Sequence, residues 1–230
     1  MEIYLSRIVI DPRLPSGRRA LADVGACHQA IMSAYPDGLG AGARSHLRVL
    51  WREDPELPSG LLVQSGIEPD AERLGCALVA LDVGIKRIDQ RLREALRPDS
   101  ELTFRLLANV TRKIDTRSTP GGTRRHGRRV PLRREEDQLS WLERRMAMAG
   151  AGVVSVGGVP DVQVRGPVRL TGRRAGVVLT FEGFDYVGRL VIRDAGRFLR
   201  ALAEGIGPGK AYGFGLLLVA PPSRSVGERP

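Results

Sequence analysis

At 230 residues and 42% hydrophobic content the chain can hold one or two cores, at roughly 100–200 residues per domain. Its 36 Lys+Arg against 26 Asp+Glu leave a net charge of +10, and only Lys86, Lys113 and Lys210 are lysines. The excess is therefore arginine, whose planar donor fork suits phosphates and guanine edges, and a polyanionic partner is expected. No apolar run nears the roughly 18 residues of a membrane span. Cys27 and Cys76 are too few and too far apart for a disulfide framework or a metal knuckle. Met1 to Ser6 reads as strand rather than as a secretory leader, so a cytoplasmic protein is expected.

In chain order, Tyr4 to Ile10 alternates and is β-branched, which predicts a strand. Asp11-Pro12 and Pro15-Ser16-Gly17 break it. Leu21, Val24, Ile31 and Tyr35 recur at helical spacing and predict one helix over 18–35, ended by Pro36-Asp37-Gly38. Short strands are expected over 47–52 and 61–65. Residues 77–83 fit either a helix or a strand, and Ile85, Ile88, Leu92 and Leu96 carry a helical spacing. Arg97-Pro98-Asp99-Ser100 is the linker candidate.

Leu102 to Ala108 predicts a strand, followed by a basic loop with Gly121-Gly122 and Gly127 as hinges. A helix is expected over 135–149, its acidic start (Glu135, Glu136, Asp137) matching the positive helix end. Leu139, Leu142 and Met146 would face its core, with Trp141 beside them. Strands are expected over 153–156, 162–170, 177–181 and 184–192. Asp194 then N-caps a helix to Glu204, and a strand over 214–219 closes the order. The pattern is read most simply as an α+β protein of two tandem ferredoxin-like, RRM-type βαββαβ domains, over 1–97 and 98–222, with 223–230 as a disordered tail.

The charge is uneven. Residues 1–100 carry 13 Lys+Arg and 14 Asp+Glu, whereas 101–230 carry 23 and 12. The density peaks between Arg105 and Arg134, where Arg105, Arg112, Lys113, Arg117, Arg124, Arg125, Arg128, Arg129, Arg133 and Arg134 face only Asp115. Such a run repels itself unless a polyanion neutralises it, which points to a phosphate backbone. Near the other end lies Gly205-Ile206-Gly207-Pro208-Gly209-Lys210-Ala211-Tyr212-Gly213-Phe214-Gly215. It follows a helix and precedes a strand, and Lys210 is followed by Ala211, so it is not a Walker loop.

Four stretches together resemble the CasE family, the RNA-processing endoribonucleases of the type I-E CRISPR Cascade complex. They are Tyr4 to Ile10 with a following helix that carries His28; Phe104 to Asn109; Trp141-Leu142-Glu143-Arg144-Arg145; and Phe181-Glu182-Gly183 with the glycine segment. The resemblance implies two ferredoxin-like domains and no cofactor. It implies cleavage of a CRISPR repeat stem-loop, retention of the mature crRNA and assembly with other Cascade subunits. A catalytically weak RNA-binding subunit of the same fold is the alternative, and a general basic RNA-binding protein is a third.

Metal-free RNA cleavage uses the RNA's own 2′-hydroxyl and needs proton acceptance, proton donation and charge stabilisation. A histidine suits the proton work. The chain has three, His28, His46 and His126, and by resemblance His28 is the catalytic one. On its own it falls in the 21-24-28-31-35 stripe, where a partly buried core histidine is the natural reading, and the family match reverses that. Relatives often carry a tyrosine one turn before it, where this chain has Gly25. Tyr35, two turns along and about 10 Å away, is the candidate sharing a substrate with His28. The resemblance assigns RNA contacts to an arginine hairpin and the basic loop. The expected contacts are Arg105, Asn109, Arg112, Lys113, Arg124, Arg125, Arg128, Arg129, Arg165, Arg169, Arg173 and Arg174. Gly207, Gly209 and Lys210 would meet the strand near the cut. His126 is a further candidate for phosphate contact.

Overall fold

The computed structural model describes residues 1–114, 128–174 and 176–222. The expected contacts Arg124 and Arg125, together with His126 and the expected tail, lie outside the described residues. Of Arg128 and Arg174 only the backbone is described.

Strand β1 (Tyr4–Ile10) alternates as expected, burying Ser6, Ile8 and Ile10 on one face. The single helix expected over 18–35 is instead two, α1 (Pro15–Ala22) and α2 (Val24–Met32). Asp23 divides them. Its backbone is extended, and its Oδ1 accepts from the Gly25 and Ala26 N–H groups at 2.8 and 3.1 Å. A capping carboxylate therefore starts a new helix inside one unbroken apolar stripe. After a short α3 (Ala43–His46), β2 (Leu50–Glu53) and β3 (Gly60–Ser65) follow. The ambiguous stretch resolves into α4 (Ala71–Leu78), capped by Asp70, and β4 (Ala80–Arg87), with left-handed Val79 between them. Ile85 thus belongs to a strand, and the helix behind it is only α5 (Asp89–Ala95).

Beyond the linker come β5 (Glu101–Ala108), the hairpin strands β6 (Thr111–Ile114) and β7 (Arg128–Pro131), and α6 (Glu135–Ala149). Next are β8 (Ala151–Val153), the small pair β9 (Ser155–Val156) and β10 (Val159–Pro160), and β11 (Val162–Arg174). The two strands expected over 177–181 and 184–192 are one, β12 (Val177–Ile192). Gly183 joins them, because a Cβ there would meet the Phe214 ring and, at 2.6 Å, the Ala108 carbonyl. Only a glycine lets the strand run on beneath that ring. Helix α7 (Ala195–Glu204), capped by Asp194, and β13 (Leu217–Ala220) end the order.

The strands form two main antiparallel sheets, ordered β2-β3-β1-β4 and β11-β12-β5-β13, with β8 on the side of β12. One core gathers Ile8, Ile10, Cys27, Ile31, Val63, Leu74 and Leu78. The other gathers Phe104, Leu106, Trp141, Leu142, Met146, Tyr186, Phe198 and Leu202. Trp141 is thus inside the core rather than beside it.

The two sheets are joined by polar bonds across buried ground. Gln64 Nε2 donates to the Leu202 carbonyl at 2.8 Å, and Trp51 Nε1 to the Ala211 carbonyl at 3.1 Å. Arg52, 5% exposed, meets Asp185 at 3.2 Å, and Arg105 meets the same carboxylate at 2.7 Å. Leu170, Phe181 and Tyr212 also pack against the first core. The seam between the sheets is therefore both apolar and directionally bonded. Among the described residues no helix is long and apolar enough to cross a membrane.

Candidate RNA-cleavage cavity and basic surface

His28 sits in the middle of α2, half-buried, with Cys27 on the core side. It opens on a cavity of about 300 Å³ at the seam, lined also by Gly25, Gln29, Arg44, Ser45, Arg173, Ala211 and Tyr212. Four segments build this cavity: the α2 turn, α3, the tip of β11 and the glycine segment.

The α2 turn is held against β11 by close backbone approach. Asp23 Oδ1 accepts from the Arg173 N–H at 3.1 Å as well as from its own helix. Burial pushes the Asp23 carboxyl up, but the N–H groups of Ala26, Arg173 and Gly25 outweigh it and hold the pKa below the usual value. A Cβ on Gly25 would stand 2.5 Å from the Arg173 carbonyl oxygen, and one on Gly172 would stand 2.8 Å from the Gly25 nitrogen. The position one turn before His28 is thus filled by the backbone of β11.

Arg44 forms another wall. Its Nη1 donates to the Val49 carbonyl at 3.0 Å, and its Nη2 to Ser45 Oγ. Tyr212 comes from the glycine segment. Its ring stacks on Phe181 with centroids 4.4 Å apart, and lies 6.5 Å from the His28 ring at a 55° tilt. Gly207 and Gly209 hold left-handed backbone, at φ 80° and 81°. A Cβ on Gly207 would touch the Trp141 ring at 3.0 Å. These two glycines therefore shape the loop around Trp141 and Phe214, whatever else the loop binds.

Lys210 lies behind this wall. Burial, and then the nearby Arg44 and Arg145 cations, pull its ammonium pKa below the usual value. With Arg129 and Arg145 it lines a second, cationic cavity of about 390 Å³, where Glu204 is the acid. Cations thus run from Arg173 past Arg44 and Lys210 to Arg145 and Arg129.

Of the expected residues, the structure brings His28 and Arg173 together, with Lys210 close behind. It does not bring Tyr35. That phenol is 1% exposed inside the first core, and burial pushes it up to about 12. The helical stripe that suggested a shared face ends at Met32, and the chain then turns Tyr35 inward, so it cannot meet a substrate at His28. Arg105 is bound to Asp185, and Asn109 Nδ2 donates to the Glu182 carbonyl at 2.7 Å, so both have internal partners. Arg112, Lys113 and Arg129 are exposed on the β6–β7 hairpin, and Arg165 and Arg169 are exposed along β11. Sequence reasoning missed Arg44, Ser45 and Tyr212. Tyr212 carried a usable signal, as the one polar aromatic in the glycine segment; Arg44 carried none.

A half-buried histidine beside two arginines, at the seam of two antiparallel sheets on a strongly basic protein, defines a class suited to phosphodiesters in RNA. A family model described as CRISPR associated protein matches residues 3–221. The chain is 32% identical over 230 residues to the CRISPR-associated endoribonuclease Cse3 of Thermus thermophilus, covering 95% of this chain and all of that one. It is 29% identical over 225 residues to the CRISPR system Cascade subunit CasE of Escherichia coli, with coverage of 95% and 100%. Thermus thermophilus Cse3 bound to an RNA representing a pre-cleavage complex superposes with a TM-score of 0.80 at 32% identity, covering 96% of this chain and 100% of that one. The chain belongs to the Cse3/CasE family of CRISPR-associated proteins.

Proposed function

We propose that this protein is a CRISPR precursor-RNA endoribonuclease. It cuts the repeat stem-loop and stays on the mature crRNA as a Cascade subunit. The observation that carries this reading is the cavity that gathers His28, Arg173 and Arg44, in a chain related end to end to a CRISPR endoribonuclease. The proposed chemistry is metal-independent. The 2′-hydroxyl attacks the adjacent phosphate, His28 accepts its proton, and Arg173 and Arg44 stabilise the charge gathering on the phosphorane. The P–O5′ bond breaks, and the departing oxygen takes up a proton to leave a 5′-hydroxyl beside a 2′,3′-cyclic phosphate.

RNA contacts are proposed for Arg112, Lys113 and Arg129 on the hairpin, Arg165, Arg169 and Arg173 along β11, and Lys210. Arg124, Arg125, Arg128 and Arg174 are proposed as further RNA contacts from the sequence alone. Duplex RNA offers mainly phosphates and shape, which such arginines fit. The two halves are proposed to be ferredoxin-like domains over 1–97 and 98–222. The common strand order of their sheets, second-third-first-fourth, supports this. A cytoplasmic location is proposed, in keeping with the free thiols of Cys27 and Cys76.

The second reading, an RNA-binding subunit that does not cut, is favoured by one observation: Gly25 stands where relatives often carry a tyrosine. Incubating repeat RNA with the wild type and with His28→Ala, in EDTA, decides between them. Site-selective cutting lost in His28→Ala, with binding retained, is expected. Cutting unaffected by His28→Ala refutes the assignment, and binding without any cutting by the wild type selects the second reading.

A further inference from the structure

A phosphodiester cannot be cut at a useful rate by a base alone. The 2′-oxygen must lose a proton and the departing 5′-oxygen must gain one, so the site needs a proton acceptor and a proton donor. Among the described residues the lining of the His28 cavity offers few such groups. Gly25, Ala211 and the Gln29 amide have no proton to exchange. Arg44 and Arg173 keep theirs at any working pH. Ser45 is an alcohol, no more acidic than the leaving group itself, and its oxygen already accepts from Arg44. What remains besides His28 is the phenol of Tyr212.

We propose that Tyr212 is the second proton-transfer group of this cavity, the general acid that protonates the leaving 5′-oxygen. The inference rests on the reading of the cavity as an RNA-cleavage site. In the step, the O2′–P bond forms and the P–O5′ bond breaks. The 2′-hydroxyl proton passes to His28 and the phenol proton passes to O5′. The tyrosinate then recovers a proton from the His28 imidazolium, through water, and both groups return to their starting states.

The surroundings of Tyr212 suit that role better than a purely structural one. One ring face is covered by Phe181 at 4.4 Å, so the ring is fixed and is not a free platform for a base. The Tyr212 N–H donates to the Gly209 carbonyl at 2.8 Å. The preceding carbonyl, that of Ala211, is held by the Trp51 indole from the other sheet. Left-handed Gly209 and Gly213 bracket the short turn that carries it. A side chain held this firmly at the edge of a reaction cavity is preorganised. The arrangement also accounts for Gly25. Backbone occupies the position one turn before His28, and Tyr212 lines the cavity from the second half of the chain.

The test is single-turnover cleavage of two repeat RNAs, one with the natural 5′-oxygen at the scissile bond and one with a bridging 5′-sulfur. A thiolate leaves without needing a proton. Tyr212→Phe keeps the ring and its stacking and removes only the hydroxyl. Expected is a loss of about 10²–10⁴-fold on the oxygen substrate, unchanged RNA affinity, and near-wild-type cutting of the sulfur substrate. His28→Ala is expected to be slow on both. Wild-type rates for Tyr212→Phe on the oxygen substrate overturn the assignment, and so does an equal loss on both substrates, which marks a structural role. In both cases wild-type cutting still upholds the endoribonuclease reading. A wild type that cuts neither RNA overturns that reading and the Tyr212 assignment together.

Discussion

Gly25→Ala is the smallest change that probes how the His28 cavity is assembled. Two effects oppose each other. Alanine is favoured over glycine in a helix by about 1 kcal/mol at most, and less in the first turn, where Gly25 lies. Against this, the new Cβ would stand 2.5 Å from the Arg173 carbonyl oxygen and 3.1 Å from Asp23 Oδ1. Neither neighbour can swing away like the end of a flexible side chain. One is backbone in β11, and the other is the carboxylate that ties β11 to α2. The strand must retreat by most of an ångström, at an overpacking cost of about 1–3 kcal/mol. It also weakens the charge-assisted bond from the Arg173 N–H to Asp23, which adds about 1 kcal/mol or more. The repulsion wins, with a net loss of about 1–3 kcal/mol. For a protein of this size that lowers Tm by roughly 2–12 °C. Because Arg173 retreats from His28, single-turnover cleavage of repeat RNA falls as well. Thermal unfolding and the cleavage rate are measured on the same preparation. A Gly25→Ala variant with a raised Tm and an unchanged rate refutes the claim that this glycine is present for close approach.

Other outcomes follow from the seam. Asp185→Ala leaves Arg52 buried without its counter-ion and is expected to cost about 3–5 kcal/mol; adding Arg52→Met should restore part of the lost Tm. A double variant no more stable than the single one shows that the uncompensated charge is not the cause. Asp23 and Asp89 both have folded-state pKa values below the usual carboxylate value. Burial of Asp23 is outweighed by its backbone N–H partners, and Asp89 is lowered first by its hydrogen bond from Arg87. Their stabilisation is complete above the unfolded-state pKa, near 4, and is lost as pH falls through the lower folded-state values. Tm should therefore be flat from about pH 7 to pH 5 with respect to these groups and fall below about pH 4. Asp23→Asn should remove part of that slope, and an unchanged slope counts against the Asp23 contribution.

Much of the local structure was legible because it is written in short-range patterns. Strand β1 and helix α6 match their expected bounds, since in each the local apolar pattern agrees with the face the fold buries. Asp194 was legible as a cap for the same reason: its carboxylate bonds a backbone N–H three residues on. The misreadings arose where a single residue redirects an unbroken pattern. Asp23 cuts one apolar stripe into two helices, left-handed Val79 turns a helix into a strand, and Gly183 lets two strands become one. In the last case the cause is the Phe214 ring, 31 residues away in sequence, which no local window contains.

The same division holds for the site. Charge and its distribution along the chain pointed to a polyanionic partner and placed the basic excess beyond residue 100. Counting histidines left three imidazoles to weigh, and the family resemblance singled out His28. Which groups share its cavity was decided by the docking of the two sheets. The end of α2 at Met32 turns Tyr35, seven residues from His28, into the first core, and the docking sets Tyr212, from the far end of the chain, with its ring 6.5 Å from that of His28. Periodicity encodes which face of its own element a residue occupies. Proximity between elements is set by the fit of buried surfaces, here the Arg52–Asp185 and Trp51–Ala211 contacts and the paired glycines at 25 and 172. Only the folded chain brings those surfaces together.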